Sequence, residues 1–469
     1  MRGLRARAPA ALLLVLCLLS AVSGPAAAQD AAGLTIEQAS QLAQSGSEAI
    51  RIRDLAVRKA RLAQQEAEAQ LWPHLDLQAT GSYLANPPTG YTVTRGSLGV
   101  LPAPFNLPLP TSDLNIGAQP YDYITGALTL TQPLFTWGKI RSAIDAAALQ
   151  VQSAGTDLAA QRRDIEREVS RAYFSALLAQ ESQKVLAALS GTAADIVADR
   201  QAALEAGTGT REAVLEAQSR KAQVDARLVE ARQSEATARE TLGMLTGLDP
   251  DGIHLASGFR DRMPDLDEPA LRARVEEDST DVSASRLRQG QAQKKLALEQ
   301  GGALLRPDLA LGLSLSATGA QNYFVLNGTP PNSTTSTSWT WDLVISLSVK
   351  MSVFDGSGSA ARIGQAEQDV QAAGQALAQS RKLARLALRQ GVEAALKAQA
   401  ELENKLAAER YADEREKNAR AGFDSGMASR GELRAAEIAS GSAALDRLLA
   451  QFTREEALAD IAHLTGEPL

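Results

Sequence analysis

The chain has 469 residues, 45% hydrophobic and 22% charged, a composition that can bury a core and excludes a largely disordered protein. Its 48 Lys and Arg stand against 55 Asp and Glu, and the formal net charge of -7 excludes a general nucleic-acid binder held by phosphate contacts. Three scattered histidines (His74, His254, His463) and the single Cys17 exclude a Cys/His zinc site and a Cys/His nucleophile pair.

The chain opens as an export leader. Arg2, Arg5 and Arg7 form a basic start, Ala10 to Ala21 is an apolar run too short for a bilayer, and Ala26-Ala27-Ala28 supplies small residues for cleavage after Ala28. Cys17 sits inside the apolar run behind Leu16, a poor place for a lipoprotein cysteine. Cleavage removes three arginines, takes the charge from -7 to -10 and leaves no cysteine, so the exported fold must hold without disulfides.

The remainder is a tandem duplication with a fixed offset of 219 residues. Phe135 matches Phe354, Gly207 matches Gly426, and Leu245-Thr246-Gly247 matches Leu464-Thr465-Gly466, so about 112 residues align without a gap. The expected first repeat is 29–247 with a β-hairpin over 74–135, a linker or equatorial region follows over 248–279, and the second repeat is 280–469 with a β-hairpin over 308–354.

In chain order, each repeat begins with a helix, Thr35 to Leu71 or Thr280 to Leu305, which stops at Pro73 or Pro307. A period-two stretch follows: Leu75, Leu77 and Ala79 alternate with Asp76, Gln78 and Thr80, and Leu309, Leu311, Leu313 and Leu315 alternate with small residues. After a Pro/Gly/Asn/Ser-rich loop the chain returns over Ile124 to Phe135 and Trp339 to Phe354. The second return places Trp341, Leu343, Ile345, Leu347, Val349 and Met351 on one face and Asp342, Ser346, Ser348, Lys350 and Ser352 on the other. Long helices then run from Ile140 to Ala206 and from Ala361 to Ser425, each about 100 Å at 1.5 Å per residue. Ile144, Val151 and Leu158, like Ile363, Val370 and Leu377, keep a seven-residue seam typical of coiled packing. Turns at Gly207-Thr208-Gly209-Thr210 and Gly426-Met427-Ala428-Ser429 send helices back to Leu245 and Leu464.

The alternating strands fit a soluble sandwich or a lipid-facing barrel wall. The barrel accounts better for two hairpins with polar faces of small residues that continue into very long helices. Four strands cannot close around a water channel, so several copies must each contribute four. Trp339 and Trp341 read either as an interfacial aromatic belt or as ordinary packing residues.

In order, the opening Leu34-Thr35-Ile36-Glu37-Gln38-Ala39, Trp72-Pro73-His74-Leu75, Gln132-Pro133-Leu134-Phe135, Phe354-Asp355-Gly356 and the two Gly-x-x-Ser/Thr turns resemble the bacterial outer-membrane efflux proteins, the TolC-like channels. The likeness spans nearly the whole exported chain. It departs at Gly46-Ser47, where the family carries Asn-Pro, and before Phe354, where Gln-Pro is missing.

The resemblance implies a mostly α protein with transmembrane β structure: four strands per chain contribute to a twelve-stranded trimeric β-barrel, continued by a long α-helical periplasmic tunnel. It implies a passive channel in the bacterial outer membrane, a homotrimer in contact with outer-membrane lipid. The partners implied are a periplasmic adaptor (membrane fusion) protein and an inner-membrane pump of RND, ABC or MFS type, in tripartite efflux or type I secretion of small molecules or proteins. Gly207, Thr210, Arg211, Gly426, Ser429 and Arg430 then mark the adaptor-docking tips. Phe423 and Glu432, with Glu212 and Glu216 as weaker candidates, mark a periplasmic gate, where threefold symmetry would turn one carboxylate into a ring of three. A Glu in a first helical turn also simply stabilises the helix dipole.

A soluble periplasmic coiled-coil adaptor or scaffold is the alternative; it shares the leader and helices but needs no lipid-facing hairpins. No enzyme is expected, because no nucleophile, paired catalytic acids or phosphate cradle is present. Gly356-Ser357-Gly358-Ser359-Ala360-Ala361 partly matches a dinucleotide fingerprint but lacks the second strand and its acidic residue, so no cofactor is expected. The triplets at Asn327 and Asn332 read as loop residues. The loop from Asn86 to Pro120 is longer than its counterpart by 15 residues and reads as a cover for the outer mouth or as tolerated surface drift.

Overall fold

The computed structural model describes residues 33–85, 91–111, 114–116, 122–321 and 337–466. The expected leader and the Asn327 and Asn332 triplets lie outside these residues.

The first helix expected as one piece is two, α1 (Ile36–Gly46) and α2 (Glu48–Ala69). Ser47 between them is extended (φ -63°, ψ 125°), and its hydroxyl accepts the Ile50 N–H at 3.4 Å. A serine side chain that bonds the next turn competes with helical continuation and starts a new helix.

The chain then forms β1 (His74–Tyr83), a short ribbon of β2 (Tyr91–Val93) and β3 (Leu114–Ile116) within the long loop, and β4 (Asp122–Phe135). The long hairpin of α3 (Lys139–Glu205) and α4 (Arg211–Thr246) follows. Residues 248–279 hold a 3-10 turn, Pro250–Gly252, and α5 (Glu268–Asp278), whose Leu271 and Val275 are buried.

The second repeat is α6 (Thr280–Gly301), β5 (Asp308–Gln321), β6 (Thr337–Lys350), α7 (Gly358–Asp424) and α8 (Arg430–Thr465). Helix α6 stops short of Leu305 at Gly301-Gly302, and Gly301 admits no side chain, since a Cβ there would lie 2.8 Å from Lys139 Cγ and 3.0 Å from the Trp137 carbonyl. Strand β6 ends at Lys350, so Met351 and Phe354 lie beyond the sheet.

All four long strands form one antiparallel sheet in the order β1-β4-β5-β6. The two hairpins are therefore neighbours, joined through β4 and β5, with β1 and β6 as open edges. The helices continue from the same end of the sheet. The Trp137 indole N–H donates to the Pro307 carbonyl at 3.0 Å, and Lys139 pairs with Asp308, fixing the start of α3 against the start of β5.

Helix α3 packs on α2 and α4 of its own repeat and on α6 and α8 of the other. Each repeat has a core. The first gathers Ala39, Ala43, Ile165, Val169, Tyr173, Leu242 and Ile253, and the second Leu271, Val275, Val282, Leu388, Leu458 and Ile461. The segment between α4 and α5 crosses from one core to the other, Phe259 packing on the first and Met263 on the second. It is held midway by Arg454, which donates to the Arg260 carbonyl and pairs with Glu455 at 2.9 Å, both side chains 1% exposed.

Candidate functional site

The strand register turns alternation along each strand into rows across the sheet. Leu77, Leu128, Leu315 and Leu343 are successive cross-strand partners, as are Leu75, Leu130, Leu313 and Ile345. Leu311 with Leu347, and Leu309 with Val349, extend the same face toward the helices. The opposite face carries Asp76, Thr129, Ser314 and Val344 in one row and Gln78, Ala127, Ser316 and Asp342 in the next. Thr129 and Ser314 lie within hydrogen-bond distance across it, at 3.5 Å. Leu75, Leu77, Leu343, Ile345, Leu347 and Val349 are all exposed, so among the described residues no helix covers the apolar face. Among the described residues no helix is long and apolar enough to cross a membrane.

Trp339 and Trp341 stand on β6 at the loop end of this face, opposite Gly319 and Ala317. The Trp339 ring lies over Gly319, where a Cβ would come within 2.9 Å of it, and both indoles are exposed. Glycine at 319 leaves the space in which the Trp339 ring lies along the sheet surface.

At the far end of the helices the two turns have one design. Gly207 (φ +74°) and Gly426 (φ +75°) take the left-handed conformation that glycine adopts without a Cβ clash. Thr210 accepts the Ala213 N–H at 3.2 Å to cap α4, and Ser429 accepts the Glu432 N–H at 3.2 Å to cap α8. The carbonyl of Ala203 accepts N–H bonds from Thr208 and Gly209, and that of Gly422 accepts them from Met427 and Ala428.

One contact in these turns has room for a single methyl group. A Cβ on Gly209 would lie 3.1 Å from that of Ala203, and a Cβ on Gly422 would lie 3.0 Å from that of Ala428. The repeats solve this oppositely, with Ala203 and Gly209 in one turn and Gly422 and Ala428 in the other. Gly209→Ala should loosen the first turn by about 1–3 kcal/mol, read as hydrogen-exchange protection of the Thr208 amide, and adding Ala203→Gly should recover little of it, because the Leu204 N at 2.9 Å and the Ala203 carbonyl carbon at 3.0 Å still crowd the new Cβ.

The site residues are distributed between two roles. Glu432 Oε2 accepts from the Ser429 N–H at 2.7 Å and the Ser429 hydroxyl at 3.0 Å, completing a reciprocal cap. These bonds, the backbone one first, hold its pKa below the ordinary carboxylate value. A group with a lowered folded pKa stabilises above its unfolded pKa and loses that contribution as pH falls through the folded value. Protection at the Ser429 amide should therefore fall on acidification through and below the usual carboxylate range, and Glu432→Ala should abolish the pH dependence.

Glu212 is exposed in the first turn of α4, and Glu216 pairs with Arg220 at 2.5 Å on its own helix. Arg211 is exposed at the start of α4, whereas its repeat mate Arg430 reaches across to Asp199 of α3 at 2.8 Å. The Arg430 guanidinium also lies 6.0 Å over the half-buried Phe423 ring. One turn further on, Arg434 pairs with Asp195 at 2.5 Å and with Glu437 at 2.9 Å, and Arg420 reaches Glu437 at 3.2 Å.

Asp195, Asp199, Arg434 and Glu437 escaped the sequence reading. Their signal was spacing: Asp195 and Asp199, like Arg430 and Arg434, are four apart and so share a helix face. Asp355 fills the helix start within the glycine-rich stretch, accepting from the Ser359 N–H at 2.7 Å and from its hydroxyl. The amides that a phosphate would need are thus met by the chain's own carboxylate.

The whole fold is shared with solved proteins. A membrane protein from Pseudomonas aeruginosa aligns with a TM-score of 0.71 at 19% identity, covering 92% of this chain and 90% of that one. The outer membrane protein VceC from Vibrio cholerae aligns with a TM-score of 0.69 at 18% identity, covering 92% of this chain and 96% of that one. In sequence, 193 residues are 31% identical to the cobalt-zinc-cadmium resistance protein CzcC of Cupriavidus metallidurans, spanning 40% of this chain and 45% of that relative, less than half its length. Residues 39–248 and 271–467, most of both repeats, match the outer membrane efflux protein family, and the chain belongs to that family.

Proposed function

We propose that three copies of this chain form a passive duct through the outer membrane, with twelve strands closing a barrel and the helices continuing it as a periplasmic tunnel. One observation carries this reading: an uncovered apolar face runs through the cross-strand rows of a four-stranded sheet with two open edges, and the sheet continues directly into helices of 67 residues. Lipid is the solvent that leaves such a face stable, and closure with further copies pairs the edges. A soluble adaptor or scaffold has no use for that face. Trp339 and Trp341 form the interfacial belt at its outer end.

The tips are the docking end. Gly207, Thr210, Arg211, Gly426, Ser429 and Arg430 present the two turns to a periplasmic adaptor (membrane fusion) protein, which couples the duct to an inner-membrane pump of RND, ABC or MFS type. Phe423 and Glu432, with Glu212 and Glu216, line the gate, and the pairs Arg430–Asp199 and Arg434–Asp195 hold the α7/α8 tip against α3 in the resting state. The cargo is small molecules or proteins. Cobalt, zinc and cadmium, named for the Cupriavidus relative, are the first to test.

Met427, 83% exposed at the second turn, is the place to test the reading. Met427→Cys carrying a photo-crosslinker should trap a periplasmic adaptor in living cells, and the adaptor's identity names the pump. Full labelling of a well-expressed protein that traps no periplasmic partner would overturn tripartite docking.

A further inference from the structure

The duplication lets the contacts between the two repeats of one chain act as a template for contacts between chains. Around the helices the order is α4, α3, α8, α7, with α3 packed against α8 across the repeat boundary. Advancing that boundary by one repeat, 219 residues, sets α7 against α4 of the next copy. The exposed side chains agree. Among the described residues α3 has no exposed large apolar side chain, whereas its repeat mate α7 has Leu383, Leu386, Leu396 and Tyr411, and α4 has Leu215, Val229 and Met244. Leu396 is 55% exposed while its mate Leu177 is 7% exposed, and Val229 is 50% exposed while its mate Leu448 is 3% exposed. The open faces of α7 and α4 are those that the boundary inside the chain covers.

We infer that a second copy of this chain seats its α4 on the open face of α7, and that this seam differs chemically from the one inside the chain. The internal seam is largely ionic: Arg171–Glu456 at 2.9 Å, Arg167–Asp460 at 3.9 Å, Asp195–Arg434 at 2.5 Å and Asp199–Arg430 at 2.8 Å, with Asp164 and His463 within hydrogen-bond distance at 2.8 Å. The same positions one repeat on are Leu383–Met244, Gln390–Thr237, Leu386–Thr241, Glu414–Leu215 and Asn418–Arg211. No ion pair survives the shift. At these five levels the seam between copies sets no opposite charges against each other, Glu414 meeting Leu215 and Arg211 meeting Asn418, so it leans on apolar burial and depends less on salt than the ionic seam that keeps the two repeats of one chain in register. The inference rests on the oligomeric reading above and adds the register and chemistry of its contacts.

Packing at one level sets the test. Inside the chain, Leu189 fills the space beside Gly441, where a Cβ would lie 2.9 Å from Leu189 Cγ. The mates are Ala408 and Ala222, both exposed, so a large and a glycine position become two alanines. Transferring that geometry puts the two Cβ atoms within about 4.5 Å across the seam, inside disulfide range.

Ala222→Cys with Ala408→Cys, in the full chain expressed for export and with Cys17 as its sole other cysteine, should oxidise to covalent dimers and trimers. Met244→Cys with Leu383→Cys should join through a short bis-maleimide. Ala222→Cys with Leu396→Cys, displaced by about three helical turns, should stay at the background of the single variants. Native mass spectrometry of the same unoxidised samples reports assembly separately. Trimers that neither register pair links would overturn this seam and leave the duct standing, and monomers throughout would overturn both. A trimer that dissociates at 1 M salt would overturn its apolar character.

Discussion

Replacing Ile345 with arginine should prevent stable membrane insertion while leaving the helices folded. Ile345 is exposed at mid-strand in the row with Leu313, Leu130 and Leu75, far from either helical core. Arginine on the lipid face of a barrel near the bilayer midplane costs about 2–4 kcal/mol, a factor of roughly thirty to a thousand in the inserted population. Val344→Arg, one residue along on the face with Ser314, Thr129 and Asp76, is the matched control and should insert normally. Washing membranes with urea and salt and measuring the retained protein separates the two. If both variants or neither are lost, the face assignment fails.

Arg454→Ala should be the most destabilising single change in the helical part. It takes from Glu455, 1% exposed, its 2.9 Å partner, leaving the Arg260 N–H at 3.3 Å and the half-exposed Arg260 guanidinium at 3.6 Å, and removes the donor to the Arg260 carbonyl where the chain passes between the cores. Breaking a buried pair by deleting one partner costs about 3–5 kcal/mol, whereas replacing both with apolar residues of similar size is often neutral. Thermal unfolding followed by helical circular dichroism should show a large loss for Arg454→Ala and substantial recovery for Arg454→Met with Glu455→Leu. Equal losses in the single and double variants would mean that the site matters for its shape and not for its charges.

The repeat, the long helices, the glycine turns and the strand alternation were legible because each is a local pattern repeated at a fixed spacing. The break at Ser47 was not, because one capping serine in a good helical run differs little from an exposed serine until the hydroxyl is seen on the Ile50 N–H. The early end of α6 falls at Gly301-Gly302, a local signal, whereas the need for glycine at 301 is non-local, since Lys139 and Trp137, more than a hundred residues away, leave no room for a Cβ there. Joining of the hairpins through β4 and β5 is likewise non-local, since alternation states which face is apolar and not which strand is adjacent.

At the tips, the order of turn residues was readable and their partners were not. Arg211 and Arg430 occupy the same place in the two repeats, yet only Arg430 has an aspartate of α3 opposite it. Glu432 was read as a gate carboxylate or a helix-dipole residue, and its bonds to Ser429 give it the capping work. A gate built there uses a carboxylate already fixed in direction by its own helix start.

In the proposed duct lipid meets one face of the sheet and water the other, and nitroxide scanning of Trp341 to Lys350 in reconstituted protein distinguishes the two faces residue by residue. Positions 341, 343, 345, 347 and 349 should be open to dissolved oxygen and closed to a water-soluble nickel chelate, with 342, 344, 346 and 348 the reverse, in a strict period of two. Equal access of the nickel chelate to both sets, or burial of the apolar set from both reagents, would contradict the account and return the sheet to a soluble, protein-covered fold.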